Sequence, residues 1–297
     1  MKKAALFDMD GTLVDNTAAH IRAFEIFCDR YGVTDWKERL SRGYGMGNDD
    51  IMRLIMPEAI IRVKGTAALA EEKEAIYREL YAPEIRPVEG LRELLAALHD
   101  RGVRCAVGSS GCRKNVDFVL EKCDIGAWFE ARISGDAVTR CKPDPEIYLK
   151  AAAAAGTDPA DCVVFEDAKA GIESARRAGV GRIVALATTL PREVLERETD
   201  ADRVIDTFAD LLTDLDALLA GTGKGTARRA GKARRRGEET RRDGMPMSRF
   251  SGPGEDVFKP RRARIRKNSL FLRRFQMCDL CSGDLPPFCC SSSPTPS

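Results

Sequence analysis

Two aspartates one residue apart close the first apolar run of the chain, Asp8 and Asp10 in Phe7-Asp8-Met9-Asp10-Gly11-Thr12. Side chains at i and i+2 leave an extended strand in the same direction. Carboxylates held that close repel unless positive charge intervenes. A hard divalent cation such as Mg2+, which takes oxygen ligands, answers that need; an Asp-Gly turn behind a buried strand is the alternative. A second acid pair, Glu166-Asp167, follows the apolar stretch 161–165. It could complete a metal site, or Asp167 could cap the helix behind it. Lys142 lies in Cys141-Lys142-Pro143-Asp144-Pro145, where two prolines stiffen the backbone around one cation. Its compact charge suits an anion or a carboxylate, although a solvated loop lysine reads the same way. In Gly108-Ser109-Ser110-Gly111, small residues separate a strand from a helix. Such a turn lets a phosphate approach backbone N–H groups, or merely reverses the chain.

These residues need a scaffold, and the sequence supplies one by alternation. Residues 3–7, 104–108, 131–134, 162–165 and 182–186 are short apolar or β-leaning runs. Helical patterns lie between them. Residues 91–101 place Leu91, Leu94, Leu95 and Leu98 on one face; residues 145–156 run from proline to glycine, and 168–179 also end in glycine. Strands alternating with helices predict a parallel sheet covered on both faces. Such a sheet binds ligands at its strands' carboxyl ends, here expected at Phe7/Asp8, Gly108/Ser109 and Phe165/Glu166.

The alternation breaks between residues 16 and 84. Residues 17–31 form an amphipathic pattern with Ile21, Phe24, Ile26 and Phe27, and 48–56 and 66–81 also read as helical. An all-helical insert is therefore expected directly after the first strand, with Pro83 and Pro87 bracketing the return to the sheet. Beyond about residue 220 the pattern collapses into Gly-, Arg- and Ser-rich sequence, for which disorder is expected.

Charge divides the chain at the same place. Residues 221–297 carry 18 Lys and Arg against 7 Asp and Glu; residues 1–220 carry 30 against 39. An acidic body thus precedes a basic extension. The extension also holds Cys278-x-x-Cys281, Cys289-Cys290, Phe271 and Phe275. Nucleic-acid or zinc binding is one reading of it; a solvated extension is favoured, because the cysteine spacing fits no standard four-ligand pattern. No apolar run approaches the roughly 18 residues of a membrane span, and the N-terminus lacks a signal-peptide core. A cytoplasmic protein with reduced thiols is expected, which excludes secreted, membrane-spanning and wholly disordered classes.

Taken together, the four chemical segments resemble, in chain order, the motifs of the haloacid dehalogenase-like superfamily of phosphohydrolases over about residues 1–220. Phe165-Glu166-Asp167-Ala168-Lys169-Ala170-Gly171-Ile172 is similar to the branch holding β-phosphoglucomutase and phosphoglycolate phosphatase. The resemblance implies a Rossmann-like doubly wound α/β core, residues 1–15 and 85–220, with an inserted helical cap, residues 16–84. It also implies a Mg2+-dependent phosphatase acting on a small phosphorylated metabolite through an aspartyl-phosphate. Asp8 would be nucleophile, Asp10 acid and base, Ser109 a phosphoryl partner, and Lys142 the balancing charge. Asp8, Asp10, Glu166 and Asp167 would hold the metal. The acid at Asp10 separates the chain from true haloacid dehalogenases. On the cap, His20 would help to position the acid/base, and the Gly-rich stretch 41–48, with Gly45 and Asn48, would contact substrate. Thr17 and Ser110 complete the candidate substrate contacts. A sugar phosphomutase is the alternative, weakened because Asn48 stands where the mutase group carries an arginine.

Overall fold

The computed structural model describes residues 3–41 and 47–220. Gly45 and the basic segment 221–297, with its expected disorder, lie outside the described residues.

Six described strands form one parallel sheet: β1 (Ala4–Phe7), β2 (Arg104–Gly108), β3 (Ala131–Ile133), β4 (Cys162–Glu166), β5 (Arg182–Leu186) and β6 (Arg203–Ile205), in the order β3-β2-β1-β4-β5-β6. The order reverses direction between β1 and β4, which are paired with Phe7 opposite Phe165. At such a switch point the two crossover connections leave in opposite directions and open a crevice at the strand ends. Asp8 and Glu166 stand at its mouth.

Side chains alternate across the sheet as a pleated strand requires. Ala5, Phe7, Val107, Val163 and Phe165 join one core, while Ala4, Leu6, Ala106, Cys162 and Val164 join the other. Both faces are buried, so these strands read as nearly unbroken apolar runs. Each fully buried Val, Leu or Phe contributes about 1.5–3 kcal/mol.

Between β1 and β2 the described residues form helices only: α1 (Thr17–Arg30), α2 (Trp36–Ser41), α3 (Asn48–Ile55), α4 (Glu58–Lys64), α5 (Thr66–Tyr81) and α6 (Leu91–Asp100). Phe24, Phe27, Trp36, Leu69 and Tyr77 pack into the same core as Phe7 and Phe165. The return to the sheet is fixed by an antiparallel bridge of Val14 to Pro87, with Val88 N–H donating to the Leu13 carbonyl at 2.9 Å.

The remaining helices are α7 (Arg113–Lys122), α8 (Glu146–Ala154), α9 (Lys169–Arg177), α10 (Arg192–Glu198) and α11 (Leu215–Leu219). Among these elements β6, α2, α4, α10 and α11 go beyond the sequence expectation, while α7 is the helix expected behind Gly108-Ser109-Ser110-Gly111. β6 is three residues long and α2, α4, α10 and α11 span seven or fewer, too short for a clear period. Among the described residues, no helix is long and apolar enough to cross a membrane.

Candidate active site

Strand β1 ends in a tight loop that carries both aspartates. Asp8 N–H continues the ladder to the Phe165 carbonyl at 3.0 Å. The Met9 carbonyl then accepts from Thr12, Leu13 and Val14, and Gly11 N–H donates to Val14. The loop therefore turns on its own backbone and leaves the Asp8 carboxylate at the strand mouth, 7 % exposed.

Lys142 reaches this carboxylate from the loop that precedes α8. Its Nζ lies 2.5 Å from Asp8 Oδ1, 2.7 Å from Glu166 Oε1 and 3.1 Å from the Tyr148 hydroxyl. The loop beneath it is tied down locally. The Asp144 carboxylate accepts from Glu146 N–H at the start of α8, and the Asp144 carbonyl accepts from the Ser174 hydroxyl of α9 at 2.6 Å. The solvated-lysine alternative thus fails: Lys142 is 7 % exposed and all three of its protons have acceptors.

Charge at this point is unbalanced. Asp8, Glu166 and Asp167 are all buried around one lysine. Burial raises the Asp8 carboxyl to about 8; Lys142 pulls it down, and Glu166 and Asp10 push it further up. Burial also raises Asp167 well above the usual carboxylate range, with Glu166 and Asp8 adding to it. Burial disfavours the Lys142 ammonium, yet Asp8 and Glu166 override it and hold the lysine above its ordinary value. Further positive charge would relieve the site.

Glu166 is engaged differently from its neighbours. Oε1 accepts from Lys142 and Tyr148, and Oε2 accepts from the N–H groups of Asp167 and Ala168 at 3.0 and 3.2 Å. Ala168, not Asp167, occupies the cap position of α9. The capping alternative for Asp167 therefore fails; the Glu166 side chain instead holds the two amides that lead into the helix.

Asp10 faces the helices. Asn16 Nδ2 donates to its Oδ1 at 2.6 Å, and His20 Nε2 lies 3.6 Å from the same oxygen. His20 stacks on Tyr77 at 3.8 Å, and Lys73 Nζ lies 3.4 Å from His20 Nδ1. Partial burial works to raise the Asp10 carboxyl, but His20, Asn16 and Lys73 outweigh it and hold Asp10 below the usual range. Two carboxyls two residues apart are thereby driven in opposite directions by their surroundings.

Ser109 is fully buried at the end of β2, where its Oγ accepts from Gly111 N–H at 3.0 Å. Gly111 lies beside Asp10: a β-carbon there would be 3.4 Å from Asp10 Oδ2. Ser110 is partly exposed in the same turn. Thr17 starts α1, with its Oγ1 3.4 Å from Thr189 Oγ1. Asn48 starts α3, and the preceding Gly47 stands against Cys141 Sγ, next to Lys142.

Several residues at the site go beyond the sequence expectation. Thr189 bonds Asp167, and Thr188 Oγ1 donates to the Gly11 carbonyl, so the loop after β5 closes one wall. Asn16, Tyr77, Lys73 and Tyr148 also belong here. Only Tyr148 lay within reach of a signal, as the single polar atom on the buried face of α8; the others sit in helices or loops whose packing sequence alone does not reveal.

Residues 5–185 match the family model described as haloacid dehalogenase-like hydrolase. A phosphorylated carbohydrates phosphatase of Thermotoga maritima is 29% identical over 191 residues, 63% of this chain and 87% of that protein. A β-phosphoglucomutase of Bacillus subtilis is 27% identical over 186 residues, 60% of this chain and 80% of that protein. Among solved structures, CbbY from Rhodobacter sphaeroides in complex with phosphate superimposes with a TM-score of 0.61 at 28% identity, covering 71% of this chain and 96% of that one. The chain therefore belongs to the haloacid dehalogenase-like hydrolases.

Proposed function

We propose that the protein hydrolyses a small phosphorylated sugar or related metabolite through an aspartyl-phosphate on Asp8. The observation that carries this reading is the Lys142 ammonium held between Asp8 and Glu166 at the sheet's switch point. An ion pair at 2.5 Å holds the Asp8 carboxylate in one orientation, as a nucleophile toward phosphorus must be held. The T. maritima relative supports the substrate class by its name.

In this reading an Asp8 oxygen attacks phosphorus as the bond to the leaving oxygen breaks. Asp10 delivers a proton to that oxygen and then takes one from water. The water attacks the aspartyl-phosphate, releasing orthophosphate and restoring Asp8. Ser109 would bond a phosphoryl oxygen, and His20 and Asn16 would hold Asp10 in place. The helical segment 16–84 would act as a cap that excludes bulk water.

The donor set fits a hard divalent cation such as Mg2+: the buried groups are oxygen only, and negative charge exceeds positive. Among the described residues, no three His, Cys, Asp or Glu side chains form a metal cage by themselves. The Asp8 and Asp167 carboxylates and the Asp10 carbonyl would hold the ion, with Glu166, fully occupied by donors, nearby. When bound, the cation offsets charge on the phosphoryl group and on Asp8.

A phosphate-release screen over small phosphometabolites, with and without Mg2+, tests the reading. Rapid Mg2+-dependent release from one compound class is the expected result. Conversion of β-glucose 1-phosphate to glucose 6-phosphate without net release, in the presence of a trace of the 1,6-bisphosphate, would establish the mutase alternative.

A further inference from the structure

Tyr148 is fully buried on α8, in the core on the opposite face of the sheet from Phe7. A tyrosine hydroxyl in such a core is costly unless it is bonded. Here it is bonded twice, and only to site residues. It donates to Glu166 Oε1 at 2.7 Å and accepts from Lys142 Nζ at 3.1 Å. The face of its ring lies under the same ammonium, with Nζ 4.8 Å from the centroid. Phenylalanine would fill this space without a polar atom to satisfy, so core packing does not account for the hydroxyl.

Its partners explain it. An ammonium on a four-carbon stem rotates freely unless its protons are all claimed. Asp8 and Glu166 claim two, and the Tyr148 oxygen claims the third. The hydroxyl proton in turn takes the remaining place on Glu166 Oε1, while Oε2 is held by two backbone amides. Gly171 of α9 closes the cradle: a β-carbon there would stand 1.7 Å from Glu166 Oε1. Neither Glu166 nor Lys142 can turn without breaking a buried bond.

We infer that Tyr148 is a positioning residue, whose hydroxyl orients the Lys142 ammonium toward Asp8 by fixing Lys142 and Glu166 as one unit. This rests on the proposed reaction at Asp8. The hydroxyl's hydrogen bonds go to Lys142 and Glu166 rather than to Asp8, so its effect on turnover passes through Lys142.

The test compares Tyr148→Phe and Tyr148→Leu with the full-length wild type, using p-nitrophenyl phosphate with Mg2+ and recording Tm. The expected result is a kcat loss of about tenfold or more, the range for a group that orients a site residue, in both variants alike. KM stays within about twofold, and Tm falls only for Tyr148→Leu, which alone leaves a cavity. Tyr148→Phe with wild-type kcat would overturn the inference, since the ring alone would then suffice. A Tyr148→Phe loss confined to KM, or one that follows Tm across both variants, would overturn it equally. A wild type without phosphatase activity on any phosphometabolite would instead refute the reaction itself.

Discussion

The backbone of Gly11 lies against the carboxylate of Asp167 so closely that a β-carbon would stand 2.2 Å from Oδ2 and 2.6 Å from Thr189 Oγ1. Gly11 also has φ +75°, where a side chain is strained whatever the space. Gly11→Ala is expected to cost about 1–3 kcal/mol from the backbone conformation alone, and to displace Asp167. Denaturant unfolding and turnover should fall together. A Gly11→Ala protein of wild-type stability would show that the loop relaxes freely.

Asp8→Asn separates turnover from folding. Loss of the nucleophile should lower kcat by about 10^3 or more, as in other enzymes with a covalent step. Stability at pH 7 should not fall, because a carboxyl that burial pushes up to about 8 costs folding free energy at pH 7, and the amide removes that cost while Lys142 keeps Glu166. The check is Tm alongside a steady-state assay; near-normal turnover would sink the covalent mechanism.

Lys142→Ala should damage folding as well as turnover. It strands Asp8 and Glu166, both buried, without their shared cation. Removing one member of a buried ion pair costs about 3–5 kcal/mol. Both stability and activity are expected to drop, and urea unfolding of the purified variant would measure the first. A stability change under about 1 kcal/mol would mean that water replaces the ammonium.

Buried thiols set an alkaline limit. Burial pushes Cys28 and Cys105 up to about 12 and Cys123 up to about 11, from an ordinary value of 9.0. Between pH 9 and 11 the unfolded chain loses these protons while the folded chain keeps them. The unfolded state then binds fewer protons, so stability falls as pH rises. Lys142, held above its ordinary value, contributes in the same direction above about pH 10.5. The urea midpoint should drop steeply from pH 8.5 to 10.5. A flat profile, or one matched by a variant with all three cysteines replaced by alanine, would exclude the thiols as its source.

Much of this architecture was legible in the residues. Strands β2 and β5 and helix α5 have the bounds that their apolar runs predicted, because a strand buried on both faces leaves an unbroken apolar signature. Asp8, Glu166 and Ser109 could be assigned to strand ends for the same reason: each directly follows or ends such a run. Local spacing carries that information, since it depends only on pleat and helix period.

What lay beyond it was contact between distant segments. The sequence contains Lys142, but only the turn held by Asp144 and Ser174 brings its Nζ to Asp8, 134 residues away. Tyr148, Thr189 and Asn16 join the site through packing of α8, the loop after β5 and the entry to α1. The opposed shifts of Asp8 and Asp10 arise the same way. The chain dictates two aspartates on one loop, and the tertiary structure gives one of them a buried lysine and two acids, the other a histidine and an asparagine. Charge and burial are set by neighbours in space, and those neighbours exist only once the sheet has closed around its switch point.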